Sequence, residues 1–177
     1  MTINLKELYH RQEFYPGFIG IFVTPFYHAR LGLQKAMEEF SSKLKGRLLD
    51  VGCGSKPYQV LFAVDDYIGL DIDNEATRNR KIVDYFYDGT TFPFNDNEYD
   101  SVLCNQVLEH VFNPDEFLSE IKRVLKPGGR LLLTVPFVWD EHEQPHDYAR
   151  YSSFGLKALI DKNGFNVIEY KKIGTDV

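Results

Sequence analysis

Leu48-Leu49-Asp50-Val51-Gly52-Cys53-Gly54-Ser55 is the stretch on which the fold turns: a short apolar run that passes directly into a glycine-rich turn. Four residues ending at Val51 suit a buried strand. Two glycines one residue apart let the backbone turn tightly and come nearer to a ligand than any Cβ would permit. About twenty residues further on, Tyr67-Ile68-Gly69-Leu70-Asp71-Ile72 reads as a second strand with a carboxylate near its end. That is the spacing at which an acid accepts both hydroxyls of a ribose. A nucleotide-like cofactor is therefore expected at this turn. The position where a dinucleotide fingerprint has its third glycine is Pro57, which argues against NAD.

Outward from this stretch, short β-type runs alternate with helical or loop segments, the signature of a parallel sheet covered by helices. The strand candidates are Leu48–Val51, Tyr67–Ile72, Ile82–Tyr87, Ser101–Asn105, Arg130–Val135 and Phe165–Tyr170. A helix is expected from Pro114 to Lys126, with Asn113 as its cap and Asp115 and Glu116 favouring its N-terminal dipole. Phe117, Leu118, Ile121, Val124 and Leu125 recur at helical spacing, and Pro127-Gly128-Gly129 turns the chain into the next strand. A later helix starts near Ser152 or Ser153 and ends at Gly164. The fold class is α/β, a doubly wound, Rossmann-like, mostly parallel sheet over 46–177. Residues 1–45 form an N-terminal extension, helical near Leu33–Leu44.

The 177 residues are 44% hydrophobic and 26% charged, as in an ordinary globular protein with one core. A net charge of −6 repels phosphate backbones, so no nucleic-acid partner is expected. No secretory signal is recognisable, which makes the cytoplasm the expected location. The apolar stretch Phe18–Phe26 is too short to span a membrane and contains Pro25. It reads as a lid or peripheral interfacial contact, or as a segment packed on the core, and the last is the expectation for an aromatic-rich run. Cys53 and Cys104 offer neither a disulfide framework nor zinc spacing, and reduced thiols on neighbouring strands are expected.

Taken together, these motifs resemble those of class I S-adenosylmethionine-dependent methyltransferases. Asp50-Val51-Gly52-Cys53-Gly54 looks like the family's first motif and Leu70-Asp71-Ile72 like its ribose-binding motif. Asp88-Gly89 resembles the acidic pair that reaches the adenine amine, and Asn105-Gln106-Val107-Leu108-Glu109-His110-Val111 the segment beside the methionine moiety. Leu125-Lys126-Pro127-Gly128-Gly129-Arg130 matches the turn before its fifth strand. The resemblance implies S-adenosylmethionine as cofactor and a strand order 3-2-1-4-5-7-6, with the seventh strand missing because only Lys171–Val177 remain. It implies a cofactor site made of Asp50, Gly52, Cys53, Gly54, Ser55, Asp71, Ile72, Asp88, Gly89, Asn105, Gln106 and His110. The amino-acid end of the cofactor falls to the glycine-loop amides and Asp50, the ribose to Asp71 and the adenine amine to Asp88.

After the fifth strand comes Pro136–Tyr151, which holds four carboxylates, two histidines, an arginine and four aromatic residues. So dense a polar and aromatic loop at the carboxyl edge of the sheet suggests a small, hydroxyl-rich acceptor. An alcohol must lose a proton on methylation, and His142, His146 and Glu141 are the candidate catalytic residues, with His142 favoured as base. His142-Glu143-Gln144-Pro145-His146 spells the zinc-protease pattern, but Pro145 breaks the helix that pattern needs. Glu109 and His110 could serve a metal or begin a helix, a non-protease metal site could use His142, His146 or a nearby carboxylate, and no metal site is assigned. The loop also resembles that of a bacterial subgroup associated with polysaccharide or lipid-linked sugar biosynthesis. A sugar or lipid-linked saccharide is thus the expected acceptor. The rival readings are a cofactor-binding module without catalysis and an NAD-dependent oxidoreductase. The sequence leaves the oligomeric state open.

Overall fold

The computed structural model describes residues 5–24 and 26–174. In chain order the elements are α1 (Leu5–Phe14), α2 (Gly20–Val23), α3 (Tyr27–Ser41), β1 (Arg47–Val51), β2 (Asp66–Ile72), α4 (Glu75–Arg78), β3 (Tyr85–Tyr87), β4 (Tyr99–Asn105), α5 (Pro114–Val124), β5 (Leu125–Thr134) and α6 (Ser153–Lys162). Single 3-10 turns at Gln59–Leu61 and Leu108–His110 follow β1 and β4.

The five strands form one sheet in the order β3-β2-β1-β4-β5, with every pairing parallel. β1 sits centrally, Val51 pairing with Leu70 on one side and Cys104 on the other. Side chains alternate across a strand, so β1 and β4 feed two cores. Leu49, Val51, Val102 and Cys104 meet Phe117, Leu118 and Ile121 of α5 and Ile160 of α6. Leu48 and Leu103 face the other way, toward Leu33 and Met37 of α3 and toward Tyr58 and Phe62. Each of the fully buried leucines contributes about 1.5–3 kcal/mol by leaving water. Strands buried on both faces read as near-continuous apolar runs, as Leu48–Val51 does.

Several boundaries differ from the sequence expectation. α3 begins at Tyr27 and ends at Ser41, and β3 is confined to Tyr85–Tyr87. α5 stops at Val124, and the Pro127-Gly128-Gly129 bend is a bulge within β5, since Tyr99 pairs with Leu125 but Ser101 with Arg130. Asn113 does not cap α5; its amide reaches the Glu116 carboxylate instead, at 3.3 Å. Ser152 does cap α6, accepting the Gly155 N–H at 3.1 Å.

Two expectations are corrected outright. Phe165–Tyr170 is not a strand: Phe165 packs against the core, but the rest of the segment is exposed and pairs with no strand. In the order 3-2-1-4-5-7-6 its neighbour would be strand seven, and no seventh strand occurs among the described residues. Residues 175–177 lie outside them. The second correction concerns the apolar stretch Phe18–Phe26, which does not bury its large side chains. Phe18 and Phe22 are each 77% exposed, while Gly20 and Thr24 turn inward. Close packing explains this: a Cβ on Gly20 would lie 3.0 Å from Gln12 Oε1 and 3.1 Å from Tyr27, so only the bare backbone fits there. No described helix is long and apolar enough to cross a membrane.

Candidate active site

The carboxyl ends of β1, β2 and β4 converge on the glycine turn. Gly52 adopts φ +70° and donates its N–H to Leu70 O at 2.8 Å, a bond that Cys53 N–H shares at 3.1 Å. A Cβ at Gly52 would lie 2.4 Å from Val107 Cγ2, so β4's following turn presses directly on this backbone. Gly54 adopts φ +52°, and a Cβ there would meet only Arg80 Nη1, at 3.6 Å. The space above Gly54 is open where the space beside Gly52 is filled.

Asp71 closes the turn. Its Oδ2 accepts the Gly54 N–H at 3.1 Å and its Oδ1 accepts the Ile72 N–H at 2.8 Å, with Arg80 at 3.4 Å from Oδ2. The carboxylate is buried, and that burial raises its pKa against the opposing pull of the two amides and Arg80. Asp50 lies deeper, 4% exposed, and accepts the Tyr67 hydroxyl at 2.6 Å. Burial pushes its pKa up to about 7, with the Tyr67 bond and Lys56 opposing. Cys53 and Cys104 are buried free thiols, and burial raises Cys53 to about 12.

The remaining expected cofactor residues fall in two places. Gly89 (φ +92°) sits beside Ile72, whose Cδ1 is 3.6 Å from the position of a Cβ. Asp88 is exposed, and its Oδ1 accepts the Thr90 N–H and hydroxyl at 2.9 and 2.6 Å, which holds its pKa below the usual carboxylate value. On the opposite flank Asn105 Oδ1 accepts the Thr134 hydroxyl at 2.7 Å, and Gln106 (φ +57°) donates its N–H to Thr134 O at 3.0 Å. Ser55 is half-buried in the turn. The residues present fit an adenosyl cofactor: an uncovered glycine cradle, a buried strand-end carboxylate with acceptor capacity, and apolar Ile72 beside the turn after β3.

Beyond β5 the polar loop folds back over β4. Tyr148 and Ala149 donate their N–H groups to Glu109 O at 2.8 and 3.2 Å. Arg150 grips Asp147 in a two-toothed ion pair, Nη1–Oδ1 at 2.5 Å and Nη2–Oδ2 at 2.7 Å, which holds the Asp147 pKa well below the carboxylate range. Asp147 Oδ2 accepts the His142 N–H at 3.0 Å and lies 3.3 Å from His142 Nδ1, which is also 3.1 Å from Asp140 O. Both neighbours of that nitrogen are acceptors, which in the neutral ring favours the tautomer with the proton on Nδ1 and the lone pair on Nε2. Glu141 and Glu143, its neighbours in sequence, are exposed; the carboxylate beside the imidazole is Asp147.

His110 follows the same pattern, its Nδ1 2.8 Å from His146 O, while His146 Nδ1 is 3.0 Å from the Tyr148 hydroxyl. The His110 and His142 rings meet edge to face at 4.7 Å. Trp139, Glu141, Asp147, Tyr148, Ala149 and Arg150 line a cleft of about 200 Å³. The N-terminal extension reaches this loop: Phe26 stacks on Trp139 at 3.9 Å, and the Arg30 guanidinium lies 5.1 Å from the Trp139 ring. The sequence reading did not assign Asp147, Arg150, Phe26 and Arg30 to the site. The first two were signalled only by their i,i+3 spacing.

The methyltransferase domain family matches residues 49–133. An O-methyltransferase of Aspergillus nomiae is 30% identical over 160 residues, covering 77% of this chain and 71% of the fungal one. A demethylmenaquinone methyltransferase of Renibacterium salmoninarum is 36% identical over 139 residues, 70% of this chain and 55% of that one. Among solved structures, an S-adenosylmethionine-dependent methyltransferase of Aquifex aeolicus shares the fold with a TM-score of 0.63 at 23% identity, over 88% of this chain and 91% of that one. The chain spans between 45% and 71% of the length of the first curated relatives it matches. With the parallel sheet, the glycine turn and the acid at the end of β2 in place, the chain belongs to the class I S-adenosylmethionine-dependent methyltransferases.

Proposed function

We propose that this chain methylates a hydroxyl group of a small polar acceptor, of the sugar or lipid-linked saccharide class, bound under the loop 136–151. The observation that carries this reading is the Arg150–Asp147–His142 relay beside a polar and aromatic cleft of about 200 Å³. Bound S-adenosylmethionine supplies an electrophilic methyl group on its sulfonium. The Gly52–Ser55 turn and Asp50 receive the amino-acid end, Asp71 accepts the ribose hydroxyls, and Asp88, Gly89 and Ile72 border the adenine. Asn105, Gln106 and His110 border the methionine side.

Arg150 fixes Asp147, Asp147 holds His142 with its proton on Nδ1, and His142 Nε2 then takes the acceptor proton. Trp139, backed by Phe26, presents an aromatic wall, while Glu141 of the cleft lining and His146, which meets the Tyr148 hydroxyl of that lining, can bond acceptor hydroxyls. Most of the acceleration comes from holding the acceptor oxygen in line with the methyl group.

A second reading has one specific observation in its favour. The Renibacterium relative is named for a quinone acceptor, and the exposed Phe18 and Phe22 lie on the extension that supplies Phe26. An apolar ring acceptor methylated at carbon also gives up a proton, which the same relay could take, so the acceptor itself has to be identified. Transfer of an isotopically labelled methyl to a panel of sugars, lipid-linked saccharides and quinols separates the two. Labelled sugar ether supports the proposal, and label on quinol carbon alone refutes it.

A further inference from the structure

We propose that Glu109, His110 and His142 form a binding site for one divalent transition-metal ion of the zinc class. Glu109 is wholly buried, and neither carboxylate oxygen has a hydrogen-bond partner. A buried carboxylate left this way is costly unless paired, protonated or bound to a cation. The imidazole of His110 does not pair with it conventionally, its Nε2 standing 3.9 Å from Glu109 Oε1. One ligand atom from each of Glu109, His110 and His142 lies within 4.8 Å of the others.

The outer contacts supply an independent argument. Imidazoles that bind metals hold their second nitrogen against a carbonyl or carboxylate, which fixes the tautomer and ring orientation. Both histidines here do so: His110 Nδ1 faces His146 O at 2.8 Å, and His142 Nδ1 faces Asp140 O at 3.1 Å and Asp147 Oδ2 at 3.3 Å. Arg150 in turn locks Asp147. Two imidazoles with Nδ1 already held and a partnerless carboxylate therefore stand together, the His₂Glu set that suits zinc and its neighbours better than magnesium or calcium. Bonds of about 2.1 Å in a tetrahedral site put ligand atoms roughly 3.4 Å apart, so closure asks for up to about 1.4 Å of movement. His142 lies on a loop, next to Glu143 at φ +53°, whereas Glu109 and His110 are fixed by the turn after β4. Three protein ligands leave a coordination position for an acceptor oxygen.

The ion's purpose rests on the reading above with one change: an ion held by His142 Nε2 would take that atom's place in removing the acceptor proton, by lowering the pKa of a hydroxyl bound at the open position. The ion's binding does not rest on that reading, because it needs neither cofactor nor acceptor. The test is calorimetric titration of Zn²⁺ into chelator-treated full-length protein, with the visible absorption of Co²⁺ as a second readout of the ligand set. One ion per chain is expected. Glu109→Gln, His110→Ala and His142→Ala should each weaken it by at least about 100-fold, more than loss of an outer partner alone. His28→Ala, on the exposed face of α3, should leave it unchanged. Thermal melts should show metal raising the midpoint of the parent and not of the three variants. Absence of saturable Zn²⁺ and Co²⁺ binding, or binding that survives both Glu109→Gln and His142→Ala in folded protein, overturns the site.

Discussion

Gly52 and Gly54 are one residue apart with the same left-handed backbone, yet alanine should act on them differently. At Gly54 the added Cβ meets only Arg80 Nη1 at 3.6 Å, so the stability cost is that of φ +52° alone, about 1–2 kcal/mol. At Gly52 the same backbone cost is joined by contacts of 2.4 and 3.0 Å with the two methyls of Val107. Overpacking of that kind adds about 1–3 kcal/mol, for a total of roughly 2–5 kcal/mol. Affinity should follow the opposite order. The Gly54 methyl projects into the open space assigned to the cofactor and should weaken S-adenosylmethionine binding tenfold or more, about 1.4 kcal/mol. Denaturant unfolding and calorimetry measure the two quantities. Because the Gly52 clash is with Val107, adding Val107→Ala to Gly52→Ala should return the overpacking part, a favourable coupling of about 1–3 kcal/mol. Equal stability losses at the two glycines, or no coupling to Val107, would refute this account of the turn.

Other consequences are as specific. Asp71→Ala should weaken S-adenosylmethionine binding by about 1.5–3 kcal/mol, or 10- to 150-fold, through lost charge-assisted bonds, and calorimetry showing unchanged affinity in folded protein would remove the ribose assignment. Asp50 has its folded pKa raised to about 7 from 3.8 by burial, so the folded state holds a proton that the unfolded chain releases. Its contribution to stability is therefore complete below pH 4 and lost as pH rises through 7. Asp50→Asn should remove that loss, so its stability advantage over the parent grows between pH 4 and 8 in denaturant titrations; a pH-independent difference would contradict it. Arg150→Ala should release Asp147 and lower turnover on an identified hydroxyl acceptor by 10²- to 10⁴-fold, the range for a lost general base, with cofactor affinity nearly unchanged. Turnover near that of the parent would dismiss the relay.

What the sequence made legible is local. Gly52 and Gly54 announce their positive φ because few other residues tolerate it, and Asp71 stands at the end of an apolar run whose length fixes where the strand stops. The parallel sheet followed from alternating strands and helices, and its strand order from the family resemblance. Contacts made by distant segments were not legible. Nothing near His142 in sequence reveals that Asp147, not Glu141, faces its ring, because the chain doubles back between them. Phe26 and Trp139 stack across 113 positions (139 minus 26), and no periodicity reports that. Phe165–Tyr170 has strand composition, but strand formation needs a hydrogen-bonding neighbour, which composition does not supply. The exposed Phe18 and Phe22 likewise depended on Gly20 being the residue that fits inward.

The most direct test of the central claim is a thermal melt of the protein with S-adenosylmethionine and, separately, with NAD. Only a ligand of the native state raises the midpoint, by an amount that grows with ligand concentration over Kd. The account predicts a saturable rise with S-adenosylmethionine that Asp71→Ala diminishes, and no rise with NAD. Stabilisation by NAD, or none by S-adenosylmethionine, would contradict it.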